Sequence, residues 1–172
     1  MLVRAIDYNS EGWSLIKALI FDLGNTLMIE GNPLGSVKLF PEVQQVLHKL
    51  KETYKLALIT NVPSSITVEY VHDGLRELGI HEFFDVVIVS SDVCINKPDE
   101  EIFALTLDYL HVKPEEAVMI GNTIATDIFG GNRMGMKTVL IQREQEYQPS
   151  DWEQPDHTIH SLKELLTLLA NQ

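Results

Sequence analysis

The stretch Lys17-Ala-Leu-Ile-Phe-Asp-Leu-Gly-Asn-Thr-Leu27 decides the fold. An apolar run ends on Asp22, with Gly24, Asn25 and Thr26 directly behind it, so it reads as a buried strand over 17–22 that stops at a carboxylate. In open α/β sheets ligands sit outside the carboxyl ends of the strands, which puts Asp22 where a substrate would meet the fold.

Comparable runs stand at 55–60 (KLALIT), 85–90 (DVVIVS), 117–120 (AVMI) and 137–141 (KTVLI), and helical patterns at about 41–53, 65–79, 98–110, 124–134 and 161–170 alternate with them. That rhythm predicts crossover units and a mainly parallel sheet. Pro41, Pro98 and Pro114 each open a helical or turn segment followed by acidic residues, as first-turn prolines do, while Gly79 and Gly135 fall where helices should stop. The polar stretch 142–156 reads as a surface loop leading to a short strand at 157–160. Residues 1–16 read as an added edge strand or arm. The segment 28–35, which contains Gly31 and Gly35, reads as a small flap or a plain connection. Without repeat, low-complexity tract or linker, the 172 residues are expected to form one domain over 1–172.

Composition narrows the function. A hydrophobic share of 45% supports a proper core, and a net charge of −12 opposes approach to nucleic acid or an anionic membrane. The densest basic stretch, His48-Lys49-Leu50-Lys51, reads as a solvated helix face. One cysteine, Cys94, excludes an internal disulfide framework and a multi-thiolate metal site. The segment Met1–Asp7 lacks the long apolar region of a signal peptide, and no apolar run reaches the ~18 residues of a membrane span. A soluble cytoplasmic protein is the expectation. The six histidines are scattered without metal-ligand spacing, and Trp13 and Trp152 read as packing residues.

Four strand ends carry the polar groups. The first gives Asp22 and Thr26; an ionised carboxylate there can attack phosphorus and divide one hard displacement into two easier ones. The second runs Ile59-Thr60-Asn61 into a helix, offering a hydroxyl and main-chain N–H groups as a phosphate cradle, although such a pair is also a common helix cap. Third, Asn96-Lys97-Pro98-Asp99 opens a helix and brings a lysine that can offset phosphate charge. In the fourth, Gly121-Asn122 begins a turn that carries Asp127 toward the same strand tips, where two oxygen ligands would suit a hard cation such as Mg²⁺. Gly130 and Gly131 inside the following helix are expected to pack closely on the sheet.

The order and placement of these four signals resemble the haloacid dehalogenase-like hydrolases over about Lys17 to Leu169, and the neighbourhoods of Lys97-Pro98-Asp99 and Asp127-Ile128 strengthen the likeness. The resemblance implies a three-layer α/β/α Rossmann-like sandwich. It implies Asp22 as nucleophile and Mg²⁺ ligand, the Gly24 carbonyl as a further metal contact, Thr60 and the Asn61 amide as phosphate holders, Lys97 as a bridge between nucleophile and phosphate, and Asp127 completing the metal site directly or through water. Two positions depart from the pattern. Gly24 stands where the family's phosphatases carry a second aspartate that moves protons, and Asn122 replaces a common acid with a neutral amide that can still reach metal or its water.

The intervals between Thr26 and Thr60 and between Thr60 and Lys97 are too short for a separate cap domain, so the site is expected to be open to a small or macromolecular phosphorylated substrate. A homodimer could also close it. The leading expectation is a Mg²⁺-dependent phosphatase acting through Asp22. The alternative is a weakened or inactive relative that binds phosphate or a partner protein, favoured by Gly24 and Asn122. A dehalogenase comes third, because its halide pocket is usually built by a cap. Glu30 is the nearest downstream acid that could replace the missing one.

Overall fold

A computed structural model describes residues 13–29, 37–143 and 154–170. The expected arm therefore enters only at Trp13, while Glu30, most of the 28–35 segment, most of the 142–156 loop and Trp152 lie outside the described residues.

In chain order the strands and helices are β1 (Ala18–Phe21), β2 (Met28–Ile29), β3 (Lys38–Leu39), α1 (Val43–Lys51), β4 (Lys55–Thr60), α2 (Val68–Glu77), β5 (Val86–Val89), α3 (Ser90–Val93), α4 (Glu100–Leu110), β6 (Ala117–Gly121), α5 (Phe129–Arg133), β7 (Lys137–Ile141), β8 (His157–Ile159) and α6 (Leu162–Ala170). Six parallel strands run in the order β5-β4-β1-β6-β7-β8. After β1 the chain builds outward through β4 and β5, then returns to β6 on β1's other flank. The strand order thus reverses around β1, the place where open α/β sheets bind ligands.

Alternation along the strands makes the three layers. Leu19, Phe21, Leu56, Leu58, Val118 and Ile120 join the buried faces of α1, α2 and α6 in one core. Ala18, Ile20, Ala57, Ile59 and Met119 pack with Ile102, Phe103 and Leu107 of α4 on the other side. Helix α1 illustrates the pattern: Val43, Val46, Leu47 and Leu50 are buried, a stripe at helical spacing.

Helix boundaries follow local chemistry. The Thr67 side chain accepts from Tyr70 N at 3.2 Å to start α2, and Asp99 accepts from Glu101 N at 3.2 Å to start α4. Gly79 and Gly135, at φ 67° and 74°, follow the ends of α2 and α5 as expected. Pro114 opens a 3₁₀ turn over Pro114–Glu116. Pro41 and Pro98, by contrast, precede the capping residues Glu42 and Asp99 and are not first-turn prolines.

After Leu27 a small antiparallel pair forms, β2 with β3, Met28 pairing with Leu39 and Ile29 with Lys38, the first strand opening the segment expected as a small flap or a plain connection and the second following it. One local expectation needs correction. The segment 124–134 is not one helix: a π-helical turn over Ile124–Ile128 precedes α5. Its glycines do pack closely, since a Cβ at Gly130 would lie 2.4 Å from the Phe103 ring and one at Gly131 2.7 Å from Thr138 Cγ2. Two of the scattered histidines also meet, His72 Nδ1 lying 2.7 Å from His81 Nε2. Trp13 is a packing residue, buried edge-on against His157 with ring centroids 5.0 Å apart. No helix among the described residues is long and apolar enough to cross a membrane.

Candidate active site

Asp22 N–H donates to Ile120 O at 2.9 Å, so the residue extends the β1–β6 ladder by one step. Strand alternation then gives its side chain the side of Ala18 and Ile20, the layer that holds α4 and the segment leading into it. The chain turns immediately. Asn25 takes a left-handed conformation at φ 54°, which asparagine tolerates better than other residues with a side chain, and its N–H donates to Met28 O at 2.7 Å. That turn buries Thr26, whose hydroxyl donates to Asp22 Oδ2 at 3.0 Å.

Lys97 is the hub. Its side chain is 1% exposed, and its Nζ lies 2.7 Å from Asp22 Oδ1, 2.7 Å from Asp127 Oδ1 and 2.9 Å from the Ile59 carbonyl. An ammonium has three donors, and here each has an acceptor, Asp127 and the Ile59 carbonyl buried and Asp22 partly so. Burial alone would lower the Lys97 pKa, but Asp127 and Asp22 together hold it above its ordinary value. For Asp127 burial dominates and pushes the carboxyl up to about 6, against the opposing charge of Lys97.

The position of Lys97 is fixed by a residue read from sequence as a phosphate holder. Asn61 Nδ2 donates to Lys97 O and Lys97 N–H donates to Asn61 Oδ1, both at 2.9 Å, so the Asn61 side chain clamps the lysine main chain and leaves only its own main chain for a ligand. Ser90 and Ser91 anchor the same loop after β4: Val62 N–H donates to Ser90 Oγ at 2.9 Å, and Ser91 Oγ donates to Ile66 O at 2.6 Å. Thr60 is buried beside them, with no side-chain partner among the described residues.

Both Asp127 oxygens are engaged, Oδ1 with Lys97 and Oδ2 with the Thr123 N–H at 3.0 Å. Gly121 makes this possible: a Cβ there would lie 2.2 Å from Asp127 Oδ2 and 2.5 Å from its Cβ. The glycine of the fourth strand end therefore leaves the space that the Asp127 carboxyl fills.

A second cluster lies on the other oxygen of Asp22. One terminal atom of the Asn122 amide is 3.0 Å from the Gly24 carbonyl oxygen and 3.3 Å from Asp22 Oδ2. With nitrogen there, Asn122 donates two hydrogen bonds. With oxygen there, three oxygens face one another and need a cation between them. Mg²⁺ binds oxygen at about 2.0–2.1 Å in an octahedron, whose adjacent ligands stand about 2.9 Å apart, so the two separations from the Asn122 atom are near those of adjacent ligands and the oxygen donors suit its hardness. Only one is charged. No group of three His, Cys, Asp or Glu side chains close enough to share a metal exists among the described residues.

Arg143, read from sequence as part of a surface loop, is instead largely buried. Its guanidinium donates to Glu42 Oε1 at 2.8 Å and to Thr26 O at 2.9 Å, and stacks 3.4 Å from the centroid of the Phe40 ring. It thereby ties the end of β7 to the turn behind Asp22. Burial raises the Glu42 carboxyl, but the hydrogen bond and charge of Arg143, together with main-chain hydrogen bonds, outweigh it and hold the pKa below the ordinary 4.5. Because this folded-state pKa is depressed, the stabilisation is present above 4.5 and lost as pH falls through the folded value. Arg143→Met is expected to cost about 2–4 kcal/mol at neutral pH, the order for stranding one partner of a mostly buried pair, and less in acid where Glu42 is protonated. Urea titrations of both proteins at several pH values check this; a pH-independent difference would refute the linkage.

Six of the seven site residues expected from sequence meet at the tips of β1, β4 and β6 through direct contacts: Asp22, Gly24, Asn61, Lys97, Asn122 and Asp127. Thr60 ends β4 beside them. Arg143 and Glu42 were missed, as were the anchoring contacts of Ser90 and Ser91; Arg143 and Thr26 lie 117 positions apart, and no local spacing links them.

A family profile described as haloacid dehalogenase-like hydrolase matches residues 19–141. The chain is 39% identical over 137 residues to a glyceraldehyde 3-phosphate phosphatase of Methanopyrus kandleri, a match covering 77% of this chain and 57% of that protein. It is 31% identical over 133 residues to pyrophosphatase PpaX of Halalkalibacterium halodurans, covering 75% and 57%. The chain thus spans 57% of the length of these two relatives. Among solved structures, a HAD phosphatase from Thermococcus onnurineus superposes with a TM-score of 0.79 at 24% identity, covering 91% of this chain and 99% of that one.

Proposed function

This chain belongs to the haloacid dehalogenase-like hydrolase family, and from that premise we propose that it is a Mg²⁺-dependent phosphohydrolase working through an aspartyl phosphate on Asp22. The observation that carries the reading is the division of labour at Asp22: Oδ1 touches Lys97 at 2.7 Å, while Oδ2 accepts from the Thr26 hydroxyl at 3.0 Å and lies 3.3 Å from a terminal atom of the Asn122 amide. A carboxylate so held keeps one orientation at the strand tips. Attack on phosphorus brings two anions together, and a buried ammonium beside the nucleophile offsets the charge where preorganisation is most effective.

Asp127 and Asn61 are assigned to Lys97, the first through its ammonium and the second through its main chain. Thr60 and the Asn61 main-chain N–H are assigned to the transferring phosphoryl group. Asp22, the Gly24 carbonyl and the Asn122 amide oxygen would hold Mg²⁺, which when bound would further neutralise phosphate charge. The phosphatase and pyrophosphatase names of the two relatives support a phosphorylated substrate.

A second reading has specific support. Gly24 removes a proton-transfer group and Asn122 removes a charge from the metal cluster, as expected of a protein that binds phosphate or a partner and turns over weakly. Phosphate release from acetyl phosphate and from an aryl phosphate, with and without Mg²⁺, decides between them. Metal-dependent release is expected. No release under either condition, with a partner protein retained, would establish the second reading.

A further inference from the structure

We infer that this site is selective for phosphoryl donors whose leaving group departs as a stable anion, acyl phosphates and phosphoanhydrides, and is poor on phosphate esters of ordinary alcohols. The inference rests on the proposed attack by Asp22 and specifies which bond that attack can break.

The reason is the set of groups that meet at the strand tips. Gly24 has no side chain to carry a proton, although its φ is not in the left-handed region, which begins at the next residue, Asn25. Asp127 is fully buried with both oxygens engaged. Lys97 keeps its three N–H bonds on Asp22, Asp127 and Ile59 O, and the Thr26 hydroxyl, also fully buried, donates to Asp22. The amides of Asn61 and Asn122 do not titrate. Among the described residues, none of these groups at the strand tips has a proton free for a leaving oxygen.

In the first step an Asp22 oxygen forms a bond to phosphorus, the bond from phosphorus to the leaving oxygen breaks, and its electron pair stays on that oxygen without a proton from any of these groups. For acetyl phosphate the departing group is a carboxylate, whose conjugate acid titrates near ~4, against ~10 for a phenol. An alkoxide is about as basic as hydroxide, the conjugate base of water at about 15.7. In the second step water attacks phosphorus, the pair of the phosphorus–Asp22 bond returns to the carboxylate, and the water proton passes to solvent. That step also proceeds without a positioned base, so the phosphoenzyme is expected to accumulate.

The test is kcat/KM with Mg²⁺ for acetyl phosphate, phenyl phosphate and glycerol 2-phosphate, with rapid-mixing measurement of the first turnover. A proton donor contributes about 10²–10⁴-fold, so glycerol 2-phosphate should trail acetyl phosphate by at least that factor, with phenyl phosphate between. A burst of phenol equal to the enzyme concentration should precede a slow steady rate. Gly24→Asp should raise the ratio of glycerol 2-phosphate to acetyl phosphate turnover by about 10²-fold. Values of kcat/KM within tenfold across the three substrates, with no burst, would overturn the inference while leaving the phosphohydrolase reading intact, and would mean that another part of the chain supplies the acid. No turnover of acetyl phosphate, and no labelling of Asp22 by it, would overturn both.

Discussion

Asp22→Asn is expected to reduce metal-dependent phosphate release by about 10⁴-fold or more while leaving the fold in place, the order of loss that follows removal of a covalent nucleophile. The two parts of this outcome have separate physical sources. Asparagine keeps the shape of the side chain and one oxygen, so contact with the Gly24 and Asn122 cluster remains possible, but a neutral amide cannot form the acyl phosphate. Lys97 loses one of three acceptors and keeps Asp127 at 2.7 Å and Ile59 O at 2.9 Å. The substitution also removes the negative charge of Asp22, which repels Asp127. These changes oppose each other, and the net effect on stability should stay within about 1 kcal/mol, as for substitutions that leave no buried charge stranded. Activity against Mg²⁺ concentration, together with a urea titration, checks both halves. Were Asp22 only a metal ligand, excess Mg²⁺ would restore much of the activity of the variant. Failure of high Mg²⁺ to restore it is the result expected of a nucleophile.

How much of this was legible in the sequence depended on the range of the interaction concerned. The strands at 55–60 and 137–141 were readable to the residue because uninterrupted apolar runs between polar boundaries report burial on both faces. Asp22, Lys97 and Asp127 were readable because each follows or precedes a strand or helix at a position where the sheet topology itself brings them together. Which groups each carboxylate touches was not readable. The contact of Asp127 with Lys97 depends on the empty Cβ position of Gly121 and on the π-helical turn after it, and a helical pattern over 124–134 does not distinguish that turn from an ordinary one. Asn61 looked like a cap or phosphate ligand because its neighbours in sequence form a loop before a helix. Its partner is the main chain of Lys97, 36 positions away, and main-chain acceptors leave no trace in residue type. Arg143 was misplaced for a related reason: a polar stretch after a strand predicts solvent, and only the shape of the Phe40, Glu42 and Thr26 surface draws the guanidinium inward.

The assignment of Asp127 to Lys97 has its largest consequence in Lys97→Met. Methionine fills much of the lysine stem's volume but leaves two carboxylates and a main-chain carbonyl without the ammonium they share. Asp127 is 1% exposed and Asp22 13%, so neither can turn freely to water. Breaking a buried ion pair from one side costs about 3–5 kcal/mol, of the same order as the whole stability of many domains, so the variant should unfold at much lower urea than wild type. Phosphate release should fall with it, because the charge that offsets attack on an anionic phosphoryl group is gone. Stability and catalysis can then be separated by a second change. In Lys97→Met with Asp127→Asn, the deeper buried charge is removed along with its partner, and most of the lost stability should return. Activity should not return, since Asp22 still lacks its cation. Recovery of both in the double variant would mean that Lys97 acts only by neutralising Asp127. Recovery of neither would place the cost of Lys97→Met on Asp22 and the Ile59 carbonyl and refute the partnership of Lys97 with Asp127 as the main source of stability at this site.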